Sequence, residues 1–158
     1  PPVSLEQCLR SGGIFYRVGG EDVRGVLAEM IALMRLPVDA DAERILEMVY
    51  AREQVATTAV GDGIAFPHCR EVVLPGFPNP MIALGFLENP VDFFAIDKKP
   101  VHAVFLILSP SARASIRVVS RLAHAVRQPG FSSLLQEVAL RDRLYAALAG
   151  LDRDLAEE

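Results

Sequence analysis

His68 follows Pro67 at the end of a short apolar run, in the stretch "GDGIAFPHCR" of residues 61–70. Proline fixes its own φ and restricts the residue before it, so Phe66-Pro67 cannot sit inside a helix. Gly61 and Gly63 bracket Asp62 just upstream, which is turn chemistry. His68 is therefore expected at the exit of a short strand, aimed by a stiff backbone. If a backbone carbonyl holds one ring nitrogen as a donor, the other becomes an aimed nucleophile at neutral pH. Attack on a phosphoryl group would give a phosphohistidine, a reaction that asks mainly for positioning and for donors to the charged oxygens. Arg52, the Thr57 and Thr58 hydroxyls and the backbone N–H groups of the glycine turn, Gly63 among them, are the local supply.

The other histidines read differently. His124 shares a helical face with Arg113, Arg117, Arg121 and Gln128 and is expected in solvent. His102 opens the apolar run "VHAVFLIL" and reads as a core or edge histidine. A metal site on His68 and Cys69 would need adjacent residues to share one ion with no clear third ligand. Neither a G-x-S-x-G elbow nor a G-x-x-x-x-G-K-[ST] phosphate loop is present. Arg52 has a second reading, as a cation completing the C-terminal end of a helix.

The elements that must position these residues follow from periodicity. Val23, Val26, Leu27, Met30, Ile31 and Met34 mark one helical face that Pro37 stops. A second helix should start near Asp39 or Asp41 and turn Ala42, Ile45, Leu46 and Val49 inward, with Arg52 continuing that stripe. Two short β-prone pieces around the glycine turn follow, then two stronger strands in "NPMIALGFLE" and "PVHAVFLILS". A helix is expected from about Ala112 to Gln128, with Val119, Leu122 and Val126 inward, ended by Pro129-Gly130. A last helix is expected over roughly Leu140 to Ala149. Helix pairs before and after central strands predict a single α/β domain over residues 1–150, a mixed β-sheet flanked by helices on both faces, with residues 151–158 as a frayed acidic tail.

With 158 residues, 51% of them hydrophobic, the chain can bury a core without a disulfide or metal. The formal charge of −4 gives no support to nucleic-acid binding, and the longest apolar run is too short to insert in a bilayer. Cys8 and Cys69 have no metal-ligand spacing, and no signal peptide is visible; a cytoplasmic protein is expected, with no metal and no cofactor.

The segment "REQVATTAVGDGIAFPHCR" resembles the signature of the fructose/mannitol-type enzyme IIA domains of the bacterial phosphoenolpyruvate-dependent sugar phosphotransferase system. "PVDFFAIDKKPVHAVFLILSP" and "IRVVSRLAHAVR" resemble further family blocks, so the likeness covers nearly the whole chain. The resemblance implies that His68 accepts a phosphoryl group from the histidine phosphocarrier protein. It implies that Arg52 is the family's arginine and that the chain is a phosphoryl carrier rather than a stand-alone enzyme. A downstream IIB domain or a regulated protein would be the second partner, with the nitrogen-regulatory branch favoured because the chain resembles a lone enzyme IIA. Phe66 and the segment Gly76 to Pro78 are candidates for the docking surface. Relative to the family pattern, Ser115 stands where a second histidine is usual, Cys69 and Ala59 replace glycines, and Asp62 replaces an asparagine. Asp62 would add negative charge near a phosphoryl group, and Cys69 a side chain near the histidine. The alternative is a regulatory binding module of the same fold that has lost phosphotransfer.

Overall fold

The computed structural model describes residues 3–70 and 78–156. In chain order the elements are α1 (Leu5–Gly12), β1 (Gly13–Val18), α2 (Val23–Leu33), α3 (Ala42–Val55), β2 (Ala59–Gly61), β3 (Ile64–Ala65), β4 (Met81–Val91), β5 (Val101–Leu108), α4 (Ala112–Arg127), α5 (Pro129–Gln136) and α6 (Arg141–Ala156). The five strands form one sheet in the order β1-β4-β5-β3-β2. It is mixed: β1 runs parallel to β4 and β3 parallel to β5, while the β4–β5 and β2–β3 pairs are antiparallel.

β4 and β5 read as continuous apolar runs because they lie inside the sheet and are covered on both faces. Ala103, Phe105 and Ile107 of β5 enter one core with Leu5 and Leu9 of α1, Val118 and Leu122 of α4, Phe131 of α5 and Leu144 of α6. Val104, Leu106 and Leu108 enter a second core with Val26, Leu27 and Met30 of α2 and Ile45 and Val49 of α3. The expected α/β architecture with helices on both faces is thus observed. Asp41 is the N-cap of α3, accepting from the Arg44 N–H, and Asp22 does the same for α2.

Several boundaries differ from the sequence reading. α1 and β1 were not anticipated; the end of α1 lies so close to β4 that a Cβ on Gly12 would stand 1.9 Å from the Ile82 carbonyl oxygen. Pro129 does not merely end α4 but opens α5 from its first position, where a missing N–H costs nothing. The buried face of α4 is Ser115, Val118, Leu122 and Ala125, with Val119 and Val126 at its margin. The expected frayed tail is instead the last turns of α6. Asp152 accepts from Ser4 Oγ and from the Leu5 and Glu6 N–H groups, each at 3.0 Å, so its carboxylate satisfies the start of α1 while Leu151 packs on the first core.

Candidate functional site

Two backbone bonds fix where His68 lies. The Phe66 N–H donates to the Thr58 carbonyl at 3.1 Å, and the Ile107 N–H donates to the Pro67 carbonyl at 2.9 Å. His68 therefore sits just past the carboxyl end of β3, beside the carboxyl end of its parallel neighbour β5, where the chain turns through Ser109 into α4. In open α/β sheets this is the end at which ligands bind.

The His68 ring is half-buried, with Nδ1 2.6 Å from the Phe66 carbonyl oxygen. A carbonyl only accepts, so Nδ1 carries a hydrogen, and in the neutral ring Nε2 keeps its lone pair. A backbone carbonyl thus holds one ring nitrogen, and Nε2 is the nitrogen left without that contact. Side-chain parity gives its direction. Ile64 and Phe66 enter the core on the α4 side, while Ala65 and Cys69 enter the α2/α3 side, which leaves His68 on the α4 side.

Ser109 and Ser115 share that face. Ser109 continues the Ala103, Phe105, Ile107 row, and Ser115 projects from the first turns of α4, capped by Ser111. They are 2% and 3% exposed, and the hydroxyl oxygen of each is buried without a hydrogen-bond partner among the described residues. Orphaned buried hydroxyls are rare in folded proteins, which makes these two candidate donors. Ser109 escaped the sequence reading because a serine after an apolar run looks like an ordinary strand end.

Arg52 lies in the last turn of α3, half-buried, and its Nη1 donates to the Ala56 carbonyl at 2.9 Å. The helix-terminus reading of this cation is thus realised, and it brings the guanidinium to the segment that pairs with Phe66. Beside it, Glu53 is 8% exposed and was missed by the sequence reading, although it forms the Arg-Glu pair of the quoted segment. Its carboxylate accepts from the Thr58 N–H at 2.6 Å and from the Thr58 hydroxyl at 2.5 Å. Thr57 donates its hydroxyl to the Phe93 carbonyl at 2.5 Å and accepts from the Ala59 N–H. Both threonines fasten the strand opposite Phe66 instead of presenting open hydroxyls.

The glycine turn, with Gly63, lies elsewhere in the sheet. The Gly63 carbonyl accepts from the His102 and Ala103 N–H groups, whereas Pro67 pairs with Ile107. Five residue steps of β5 separate His102 from Ile107, about 16 Å at the rise of a strand. The turn amides face the opposite end of the sheet, where the Asp62 N–H donates to Asp97 and the Gln136 amide donates to the Asp62 carbonyl. The Asp62 and Lys99 amides hold the Asp97 carboxyl below its ordinary range. Gly63 has φ +80°, and a Cβ there would stand 2.4 Å from His102 Cδ2. His102 is half-buried, and its Nε2 is buried without a partner among the described residues.

The same geometry removes two concerns about the departures. Asp62 is exposed beside Lys99 at that far end, and the Cys69 side chain is turned into the second core. Phe66 is not a docking residue: it is 2% exposed and packs edge-on against Phe105 with ring centroids 5.7 Å apart. Of the other docking candidates, Pro78 is exposed, and Gly76 and Phe77 lie outside the described residues. His124 is exposed and contacts Gln128. Among the described residues no helix is long and apolar enough to cross a membrane.

Residues 7–150 match the family described as "Phosphoenolpyruvate-dependent sugar phosphotransferase system, EIIA 2". The chain belongs to this family. It is 36% identical over 147 residues to a nitrogen regulatory protein of Pseudomonas aeruginosa, covering 92% of this chain and 88% of that protein. The crystal structure of the nitrogen regulatory protein IIA-Ntr from Neisseria meningitidis superposes with a TM-score of 0.78 at 25% identity, covering 91% of this chain and 98% of the other. Enzyme IIA mannitol of Escherichia coli, solved in complex with phosphorylated enzyme IIB mannitol, shares the fold with a TM-score of 0.65 at 17% identity, covering 89% and 96% of the two chains.

Proposed function

We propose that the protein is a phosphohistidine carrier in which Nε2 of His68 receives a phosphoryl group from the histidine phosphocarrier protein. The observation that carries this reading is the 2.6 Å bond from His68 Nδ1 to the Phe66 carbonyl oxygen, which in the neutral ring leaves the lone pair on Nε2 at the ligand-binding end of the sheet. The Nε2 lone pair forms the new N–P bond as the donor's N–P bond breaks, and the donor ring keeps the electron pair. No proton has to be removed from His68 first. The Ser109 and Ser115 hydroxyls donate to the arriving oxygens, and the start of α4 adds the positive end of its dipole. Arg52 supplies the cation, while Glu53, Thr57 and Thr58 position the strand that holds the histidine. The same group then passes to a IIB domain, or its presence alters binding to a regulated protein. The likeness to nitrogen regulatory proteins favours the second route.

Incubation with phosphoenolpyruvate, enzyme I and the phosphocarrier, followed by intact mass at neutral-to-basic pH, tests the proposal. A gain of one phosphoryl group, absent from His68→Ala, is expected. A folded protein that gains none overturns it. The serine at position 115, where an imidazole is usual, favours a second reading: a binding module of the same fold without phosphotransfer, placed in the cytoplasm like the first. On that reading His68→Ala keeps full affinity for the regulated partner.

A further inference from the structure

Helix α4 has a second face that the chemistry of His68 does not use. At 100° per residue, Ile116, Arg127, Ser120, Arg113, His124, Arg117, Gln128 and Arg121 fall within about 140° of its circumference, away from the buried face. The helix holds four arginines and no acidic residue. The whole chain has 16 Lys and Arg against 20 Asp and Glu, so everything outside α4 stands at 12 against 20. The most basic element belongs to an otherwise acidic molecule.

Local physics does not explain the stripe. Arg113, Arg117 and Arg121 are spaced i, i+4, i+8, which sets like charges beside one another and disfavours the helix. Arg113 and Arg117 also occupy the first half of α4, where the macrodipole is positive. No compensation is present: none of the four ion pairs found among the described residues involves α4. Arg121 donates to the Val3 carbonyl, but Arg113, Arg117 and Arg127 are exposed without protein partners among the described residues. Features that oppose their own element without an internal gain belong to function more often than to folding.

We infer that this stripe docks a protein with an acidic surface. Arginine without lysine is the composition of interfaces that bind carboxylates in bidentate pairs. Ile116, 68% exposed at the stripe's margin, supplies an apolar contact that a polyanionic strand would not use. A long polyanion would also meet the acidic remainder of the molecule, whereas a compact acidic patch need cover only α4. The inference concerns the unmodified chain and stands whether or not His68 is phosphorylated.

The test uses the intact chain and two labelled probes: a helical peptide with one face of Glu and Asp bordered by Leu, and a single-stranded RNA oligonucleotide. Amide chemical-shift mapping should confine the peptide's effects to α4. Fluorescence anisotropy should show Arg113→Glu/Arg117→Glu weakening the peptide about tenfold or more, with Arg113→Gln/Arg117→Gln intermediate. Arg35→Glu/Arg44→Glu, remote from α4, should leave binding within about twofold, since a diffuse field alone would respond to both pairs. The inference fails if both reversals weaken binding equally, if shifts scatter over the surface, or if the peptide does not bind at physiological salt. It also fails if RNA occupies the stripe more tightly than the peptide, which would make the ligand a nucleic acid.

Discussion

His68 Nδ1 and the Phe66 carbonyl oxygen, 2.6 Å apart, form the contact that orients the imidazole ring. It predicts a single tautomer. Long-range ¹H–¹⁵N correlation of the His68 ring at neutral pH should show a protonated Nδ1 and an unprotonated Nε2, and the phosphorylated protein should show phosphorus coupling at Nε2. A protonated Nε2 in the resting protein would contradict the geometry.

Ser109→Ala and Ser115→Ala separate a phosphate-binding role from a structural one. Each removes a buried hydroxyl that has no partner among the described residues, so thermal stability should hold or rise by up to about 1–2 kcal/mol. The phosphohistidine, in contrast, should hydrolyse several-fold faster in each variant. Loss of stability with unchanged phosphohistidine lifetime would assign the serines to packing.

Glu53→Ala should act through the scaffold. It leaves the buried Thr58 N–H and hydroxyl without their acceptor, a loss of roughly 2–4 kcal/mol in urea unfolding. Glu53→Gln keeps one acceptor and should lose less. Equal stability of wild type and Glu53→Ala would mean that the carboxylate is dispensable to the hairpin.

Gly63→Ala tests which end of the sheet is active. The left-handed φ and the 2.4 Å approach to His102 should destabilise the protein by about 1–3 kcal/mol, part of which His102→Ala should relieve. Below its melting range, the variant should still accept a phosphoryl group at the wild-type rate. A slower rate in the folded variant would return the glycine turn to the site.

Burial, reinforced by the charge of Asp152 and opposed by Arg121, pushes the Cys8 thiol up to about 11. At pH 8 about one thiol in a thousand is then the reactive thiolate. Peptide mass mapping after iodoacetamide treatment should find Cys8 nearly unmodified in the folded protein and readily modified in guanidinium. Rapid native alkylation would show that α1 opens.

The placement of His68 at a strand exit was legible because its signal is local: a proline, an apolar run and a glycine turn fix strand, exit and residue within a few positions. The long helices α2, α3 and α4 were legible from periodicity for the same reason, and α3 also from its capping aspartate. Roles set by distant pairing were not. Gly63 is near His68 in sequence, yet only the pairing of Gly63 with His102 and of Pro67 with Ile107 shows that the turn and the histidine face opposite ends. Glu53 reads as a solvated helix-end acid until Thr58 folds back on it. α6 reads as fraying after Gly150 until Asp152 finds the start of α1.

That last contact also orders events in time. Asp152 joins residues 146 to 148 positions earlier in the chain, and α1 lies at the centre of the first core. While the chain is still being synthesised, the start of α1 has no acceptor from α6, and one face of the sheet stays open. Contacts of such long range form late and slow folding. The open face is a surface on which a nascent chain is prone to aggregate. Truncation ahead of Asp152 would prolong that exposure, so the terminal helix closes the molecule as well as ending it.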